Sequence, residues 1–230
     1  MLDGKVAAKA GQEVSGGDHC VEITEEDRFV GRGGLKLEGA LVHFGIDVFG
    51  KKCIDVGAST GGFTDCLLQH GAAHVCAVDS GRGQLHPRLL DDIRVTCVEG
   101  FNARELTPDE FGYFDIAVMD VSFISQTLLH SPVFSVLKDG ALYISLIKPQ
   151  FEAGKSALGK GGIVKKASDR ELAVKRVLES ASLCGFEVLG VTSSPIEGGD
   201  GNREYLAVFK KTDVPTEIPK NINLKQLCKD

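Results

Sequence analysis

Short apolar runs alternate along this chain with stretches in which apolar positions recur every three or four residues. The runs at Lys52–Val56, His74–Asp79, Arg94–Val98, Asp115–Met119, Ala141–Ile147, Glu187–Ser193 and Glu204–Lys210 read as strands. Between them, Leu37, Leu41 and Phe44, with Leu35 and Val42 beside them, predict an amphipathic helix over 33–44 that stops at Gly45. Further helices are predicted over about 61–70, stopped by Gly71, near 87–91, around 125–137 and over 168–184. For the last, Ser168-Asp-Arg-Glu171 reads as a capping box, and Leu172, Val174, Val177, Leu178 and Ala181 continue it. Alternating strands and helices with short connections predict an α/β fold with a mostly parallel sheet covered on both faces. The first 27 residues are polar-flanked fragments with glycine turns, too little to form a core. The stretch from Thr212, with Pro215 and Pro219, reads as a loose end.

Polar groups collect where these strands end. The turn after the first strand, DVGASTGGFT from Asp55 to Thr64, carries Gly57, Gly61 and Gly62, which permit a sharp bend and close approach to a ligand. Ser59, Thr60 and the amides that open the next helix are expected to face the same crevice. A dinucleotide turn would read G-x-G-x-x-G. Here a carboxylate precedes the first glycine by two residues, which would repel a pyrophosphate but suits a cofactor with an amino group and a sulfonium charge. The turn is therefore read as a site for S-adenosylmethionine. Taken alone it is also compatible with an ordinary tight turn. Downstream, Asp79 ends the second strand 24 residues after Asp55, at the distance where an acid reaches ribose hydroxyls, and Asn102 follows the third, placed to read an adenine edge. Asp120 ends the fourth. Ligands of open α/β sheets bind at such carboxyl ends.

Composition narrows the classes. A chain of 230 residues with 43% hydrophobic content can bury one main core. Its seven cysteines (20, 53, 66, 76, 97, 184, 228) form no C-x-x-C pair and lie mostly in apolar patterns, as buried thiols rather than disulfides or metal ligands. The longest apolar run, Ala141–Ile147, is too short to cross a bilayer, and no signal peptide is visible, so a cytoplasmic protein is expected. The net charge of −6 argues against gripping nucleic acid by charge alone. Residues 1–27 hold seven acids and two lysines, however, so their −5 leaves only −1 for the rest. Lys155, Lys160, Lys165 and Lys166 fall among Gly154, Gly159, Gly161 and Gly162 without an acid between, either a solvated loop or a holder of phosphates.

Four charged residues sit in polar places beside the inferred crevice: Lys36, Asp120, Lys148 and Glu204. Singly, each reads as a solvated or capping residue. Pro149 prevents Lys148 from continuing into a helix, so its side chain is left at the rim of the strand before it. These four stand within longer motifs: GGLK from Gly33, DVGASTGGFTDCLLQ, AVD-x-G-x-GQL, DVSFIS, KPQFE, KGGIV and SPI-x-G-x-x-GN-x-E. Over about residues 28–210 this series resembles the TlyA family of ribosomal RNA 2′-O-methyltransferases, historically labelled haemolysins and related to the FtsJ group.

The resemblance implies a Rossmann-like class I methyltransferase sheet of seven strands, the last antiparallel, and a Lys-Asp-Lys-Glu tetrad at Lys36, Asp120, Lys148 and Glu204. It assigns Lys148 to deprotonate or steer a ribose hydroxyl, and Lys36 to hold the ribose or tune that amine. Asp120 would orient Lys148 and face the cofactor, and Glu204 would fix the lysines. Ribosomal RNA or ribosomal subunits are the implied partners, with cytidine the implied nucleoside; no membrane or metal is expected. Residues 1–27 would be the last portion of a ribosomal S-four-type RNA-binding domain, 28–211 the methyltransferase domain and 212–230 a C-terminal tail. With that RNA-binding part incomplete, cofactor binding is expected to survive and RNA methylation to be weak. A membrane-lytic protein, the rival suggested by the old label, would need a long apolar span or a basic amphipathic helix, and the sequence offers neither.

Overall fold

The strands β1 (Lys52–Val56), β2 (His74–Asp79), β3 (Val95–Glu99), β4 (Phe114–Met119), β5 (Leu137–Ile147), β6 (Phe186–Ser193) and β7 (Tyr205–Lys211) form one sheet in the order β3-β2-β1-β4-β5-β7-β6. This is a computed structural model, and it describes residues 16–17, 19, 28–199, 201–212 and 214–229. The N-terminal stretch read as an RNA-binding remnant, 1–27, lies outside the described residues apart from positions 16, 17 and 19. Strands β1 to β5 pair in parallel, and β7 runs antiparallel between β5 and β6. That is the mostly parallel, seven-stranded Rossmann-like class I arrangement.

Side-chain alternation along the strands feeds two cores. Ile54, Val56, Ala117 and Met119 point to one face, which is covered by α5 (His130–Ser135) and α7 (Ala167–Leu183) through Val133, Val174, Val177 and Leu178. Cys53, Val75, Ile116 and Val118 point to the other, covered by α1 (Gly33–Phe44) and α2 (Gly62–Gln69) through Leu37, Leu41, Phe63 and Leu67. The helices α1 and α2 approach closely because of glycine. A Cβ at Gly62 would lie 2.9 Å from the Gly34 nitrogen, and one at Gly34 would meet the Phe29 ring at 2.3 Å. Asp65 of α2 accepts a hydrogen bond from the Val30 amide at 2.9 Å, which fixes the approach to α1 and hence where Lys36 stands.

Some expectations differ in detail. The helix expected over 125–137 is split into a 3-10 turn at Gln126–Leu128 and α5, because Pro132 has no N–H to bond back to Leu128. Pro149 does not stop the chain from turning helical. Lys148 is extended, and Pro149 opens the one-turn α6 (Pro149–Glu152) at the position where its missing N–H is not needed. The capping box at Ser168 does not form, since α7 begins one residue earlier with Lys166 as its cap. The tail is not loose. Ile218, Ile222, Leu224 and Leu227 pack on the core, Cys228 is fully buried, and Arg170 donates to the Cys228 carbonyl at 2.8 Å. Among the described residues no helix is long and apolar enough to cross a membrane, and no cluster of side chains is suited to a metal.

Candidate active site

Strand order changes direction between β1 and β4, and the chain leaves both strands at that point. The Asp120 amide donates to the Val56 carbonyl at 3.1 Å, and the Gly57 amide donates to the Val78 carbonyl at 2.8 Å. Gly57 has φ +84, and a Cβ there would lie 2.7 Å from the Asp120 carbonyl oxygen, so glycine is required for the two strand ends to come together. Above them opens a cleft of about 440 Å³, lined among others by Gly57, Ser59, Asp79, Asn102 and Asp120. Asp79 is held from both sides: its Oδ2 accepts from the Ser59 amide at 2.8 Å and its Oδ1 from the Gly81 amide at 2.7 Å. The Asn102 Oδ1 accepts from the Arg104 amide at 3.2 Å and so caps the turn it opens.

A second cleft of about 390 Å³, lined by Lys36, Lys148 and Glu204, shares Ser122 and Phe123 with the first. The four charged residues form two ion pairs, Lys36 with Glu204 on its wall and Lys148 with Asp120 where it meets the first cleft. Lys36 donates to Glu204 at 2.5 Å, with both side chains almost wholly buried, and a Cβ at Gly198 would lie 2.6 Å from the Glu204 Oε1. A side chain at position 198 would push the Glu204 carboxylate out of its place beside Lys36. The Lys148 ammonium lies 2.5 Å from the Asp120 carboxylate and donates to the Ser122 hydroxyl at 2.9 Å. Asp120 faces the first cleft and holds a lysine of the second, so the two spaces communicate through one carboxylate.

Other candidates lie elsewhere. Asp55 is within β1, on the face covered by α2, and is fully buried; it accepts from the Thr64 hydroxyl at 2.7 Å and does not line either cleft. Burial drives its carboxyl up from the ordinary 3.8 to about 7, with the Thr64 hydrogen bond opposing and the Asp120 and Asp79 charges adding. Thr60 turns its hydroxyl under Gly31, where a Cβ would meet it at 2.7 Å. Gly61 and Gly62 serve packing, the first beneath Leu89 and the second beneath Gly34. These four residues shape the turn without lining the cleft.

The Asp55 burial has a measurable consequence. Because its folded pKa is raised, the stability it permits is complete below about 4 and declines as pH rises to about 7. The loss approaches about 4 kcal/mol at ~1.36 kcal/mol per decade. Asp55→Asn keeps an acceptor for Thr64 and cannot ionise. Its melting temperature is expected to exceed that of the unaltered protein at pH 8 and to converge with it at pH 4, as followed by calorimetry across pH. An unchanged pH slope would refute the assignment.

Several residues at these clefts escaped the sequence reading. Gln84 and Phe101 line the first cleft, and Ser122 and Phe123 line both. Phe123 is 93% exposed, has φ +65, and lies 5.3 Å from Phe151 between ring centroids. An aromatic residue placed in the polar loop DVSFIS just past a strand end was the available signal.

Comparison with known proteins follows the same lines. The sequence profile of the FtsJ-like methyltransferases matches residues 29–211. The 16S/23S rRNA (cytidine-2′-O)-methyltransferase TlyA of Mycobacterium tuberculosis is 44% identical over 207 residues, covering 89% of this chain and 77% of that protein. The solved structure of a protein from Streptococcus thermophilus named as a hemolysin superposes with a TM-score of 0.84 at 44% identity, covering 90% of this chain and 75% of the other. An S-adenosylmethionine dependent methyltransferase from Mesorhizobium loti, 16% identical, shares the fold with a TM-score of 0.55 over 75% of this chain and 96% of its own.

Proposed function

This chain belongs to the FtsJ-like methyltransferase family, and from that premise we propose that it methylates the ribose 2′-hydroxyl of cytidine in ribosomal RNA, with S-adenosylmethionine as donor. The observation that carries the reading is the junction of the two clefts at Asp120 and Ser122, with the Lys148 ammonium between those residues. A donor in one cleft and an acceptor in the other would meet there.

The residues of the first cleft fit an adenosyl group with a cationic end. Gly57 supplies the close backbone approach, and Asp79, whose oxygens are already aimed by two amides, keeps lone pairs for ribose hydroxyls. Ser59 and Asn102 border it, and Asp120 places a negative charge where the positive end belongs. When bound, S-adenosylmethionine supplies a methyl group activated by the adjacent sulfonium.

The chain itself supplies alignment and proton management. The Lys148 nitrogen is held in ionic contact with the Asp120 carboxylate and donates to the Ser122 hydroxyl, and the side of it that remains open serves the acceptor oxygen. A secondary hydroxyl is a poor nucleophile, so Lys148, as the neutral amine with its lone pair toward the hydroxyl, is assigned to orient it and to receive its proton as the oxygen–carbon bond forms and the methyl–sulfur bond breaks. Lys36, held by Glu204, lines the same cleft and is assigned to the ribose and its phosphate. The exposed ring of Phe123, beside Phe151, offers a flat face for a base.

The rim also suits a polyanion. Lys155, Lys160, Lys165 and Lys166 are exposed on the loop whose Leu158, Gly161 and Gly162 line the acceptor cleft. The base of that loop is fixed: the Val164 amide donates to the Asn202 Oδ1 at 3.0 Å, and the Asn202 Nδ2 donates to the Gly162 carbonyl at 3.2 Å. This supports phosphate docking next to the tetrad.

The test is transfer of labelled methyl from S-adenosylmethionine to naked ribosomal RNA and to isolated subunits, followed by mapping of ribose methylation. The expected result is a 2′-O-methylcytidine at a discrete site. Methylation on a base, or none on either substrate, would overturn the reading.

A further inference from the structure

We infer that Glu152 is a positioning residue for methyl transfer, a clamp that holds the loop bearing Asp120, Ser122 and Phe123 against the strand end bearing Lys148; the inference rests on the reaction proposed above. Glu152 ends α6, four residues after Lys148, and is 3% exposed. Both of its carboxylate oxygens are given to the loop that follows β4. Oε2 accepts from the Ser125 hydroxyl at 2.5 Å and Oε1 accepts from the Gln126 amide at 2.9 Å. Its own carbonyl accepts from Arg176 of α7 at 2.7 Å, which anchors α6 to the layer beneath.

The loop is thereby fixed at two ends. At Asp120 the backbone is bonded to β1, and at Gln126, itself 1% exposed, the side chain accepts from the Ser145 hydroxyl and donates to the Leu146 carbonyl at 3.4 Å. Between these anchors stand Ser122 and Phe123, and Phe123 holds a left-handed φ of +65. A bulky residue in that conformation is strained and persists only where its surroundings dictate it. Glu152 provides that constraint, and does so with an ionisable group buried at an energetic cost that an apolar residue would avoid. Burial pushes its carboxyl above the usual range, with the Ser125 and Gln126 hydrogen bonds and the Arg176 charge opposing. The separation of Asp120 and Lys148 is set by two segments that meet at this carboxylate, at the ion pair with its Ser122 hydrogen bond, and at the Phe123–Phe151 ring contact.

The experiment compares Glu152→Gln, Glu152→Ala, Ser125→Ala and the Ser125→Ala/Glu152→Ala double variant in rRNA methylation at saturating cofactor and RNA. Glu152→Gln keeps an acceptor for the Gln126 amide and lets the Ser125 hydroxyl reverse, so its kcat should stay near that of the unaltered protein. Glu152→Ala should lower kcat about a hundredfold, the effect of displacing reacting groups by about an ångström. Ser125→Ala should lower it less, and the double variant should be no slower than Glu152→Ala. A folded Glu152→Ala with unaltered kcat, or single losses that multiply in the double variant, would overturn the inference. Where Glu152→Ala does not fold, Ser125→Ala decides: lowered kcat at unchanged melting temperature supports the clamp, and unchanged kcat defeats it. Amide exchange over residues 121–125, expected to be faster in Ser125→Ala, reads the clamp without reference to activity. If the unaltered protein methylates no RNA, the reaction reading falls, and exchange still decides whether the loop is clamped.

Discussion

Lys148→Ala is expected to reduce methyl transfer to ribosomal RNA by about a hundredfold to ten-thousandfold, the range associated with losing a positioned acid–base group. S-adenosylmethionine affinity, read by calorimetry, should change little, because Lys148 lines the acceptor cleft rather than the donor cleft. The loss should appear in kcat with KM for RNA nearly constant, since the interaction with the hydroxyl strengthens as its proton leaves. Lys148→Arg separates charge from proton transfer. Arginine keeps a cation near Asp120 but does not exchange its proton in this range, and its planar fork does not reproduce the point contact to Ser122. It should be nearly as inactive as alanine. An arginine variant with more than about a tenth of the original rate would mean that Lys148 acts as a charge alone, and the proton would need another acceptor.

Much of this geometry follows from features visible in the chain. The apolar runs gave the positions of all seven strands within a few residues, most clearly for β1, β2 and β4, because parallel strands buried on both faces leave near-continuous hydrophobic signatures. Asp79 and Asp120 follow directly from strand-end position. Asp55 does not, and the reason is periodicity: it is inside the strand rather than beyond it, so alternation turns it onto the face under α2. The start of β5 at Leu137 was concealed by Lys138, Asp139 and Gly140, which are exposed and polar. One-turn elements such as α6 and the pieces at Pro108–Phe111 and Leu224–Leu227 are too short to show any period. The tail's contacts rest on a few scattered apolar residues whose partner surface exists only after the sheet has formed. Pairing of Lys36 with Glu204, 168 positions apart, is a product of topology: α1 leans over the sheet and β7 enters it in the reverse direction. No local pattern encodes it, and it entered the sequence reading only through resemblance.

That long-range pair should show the second large effect. Glu204→Ala leaves the Lys36 ammonium without its 2.5 Å partner in a position where its side chain is only 9% exposed. Breaking such a pair from one side costs about 3–5 kcal/mol, because an uncompensated charge remains in a poorly solvated place. The melting temperature should fall by several degrees, and methylation should fall with it. Stability alone could account for that loss, so the decisive comparison is Lys36→Met/Glu204→Leu. Replacing both partners with apolar groups of similar size removes the stranded charge, and double replacements of this kind are often neutral or stabilising. The double variant should recover most of the lost melting temperature while remaining inactive on RNA, since neither methionine nor leucine can contact a ribose or phosphate as the ammonium does. Recovery of activity along with stability would reduce the pair to a structural tie and leave the reaction to Asp120 and Lys148.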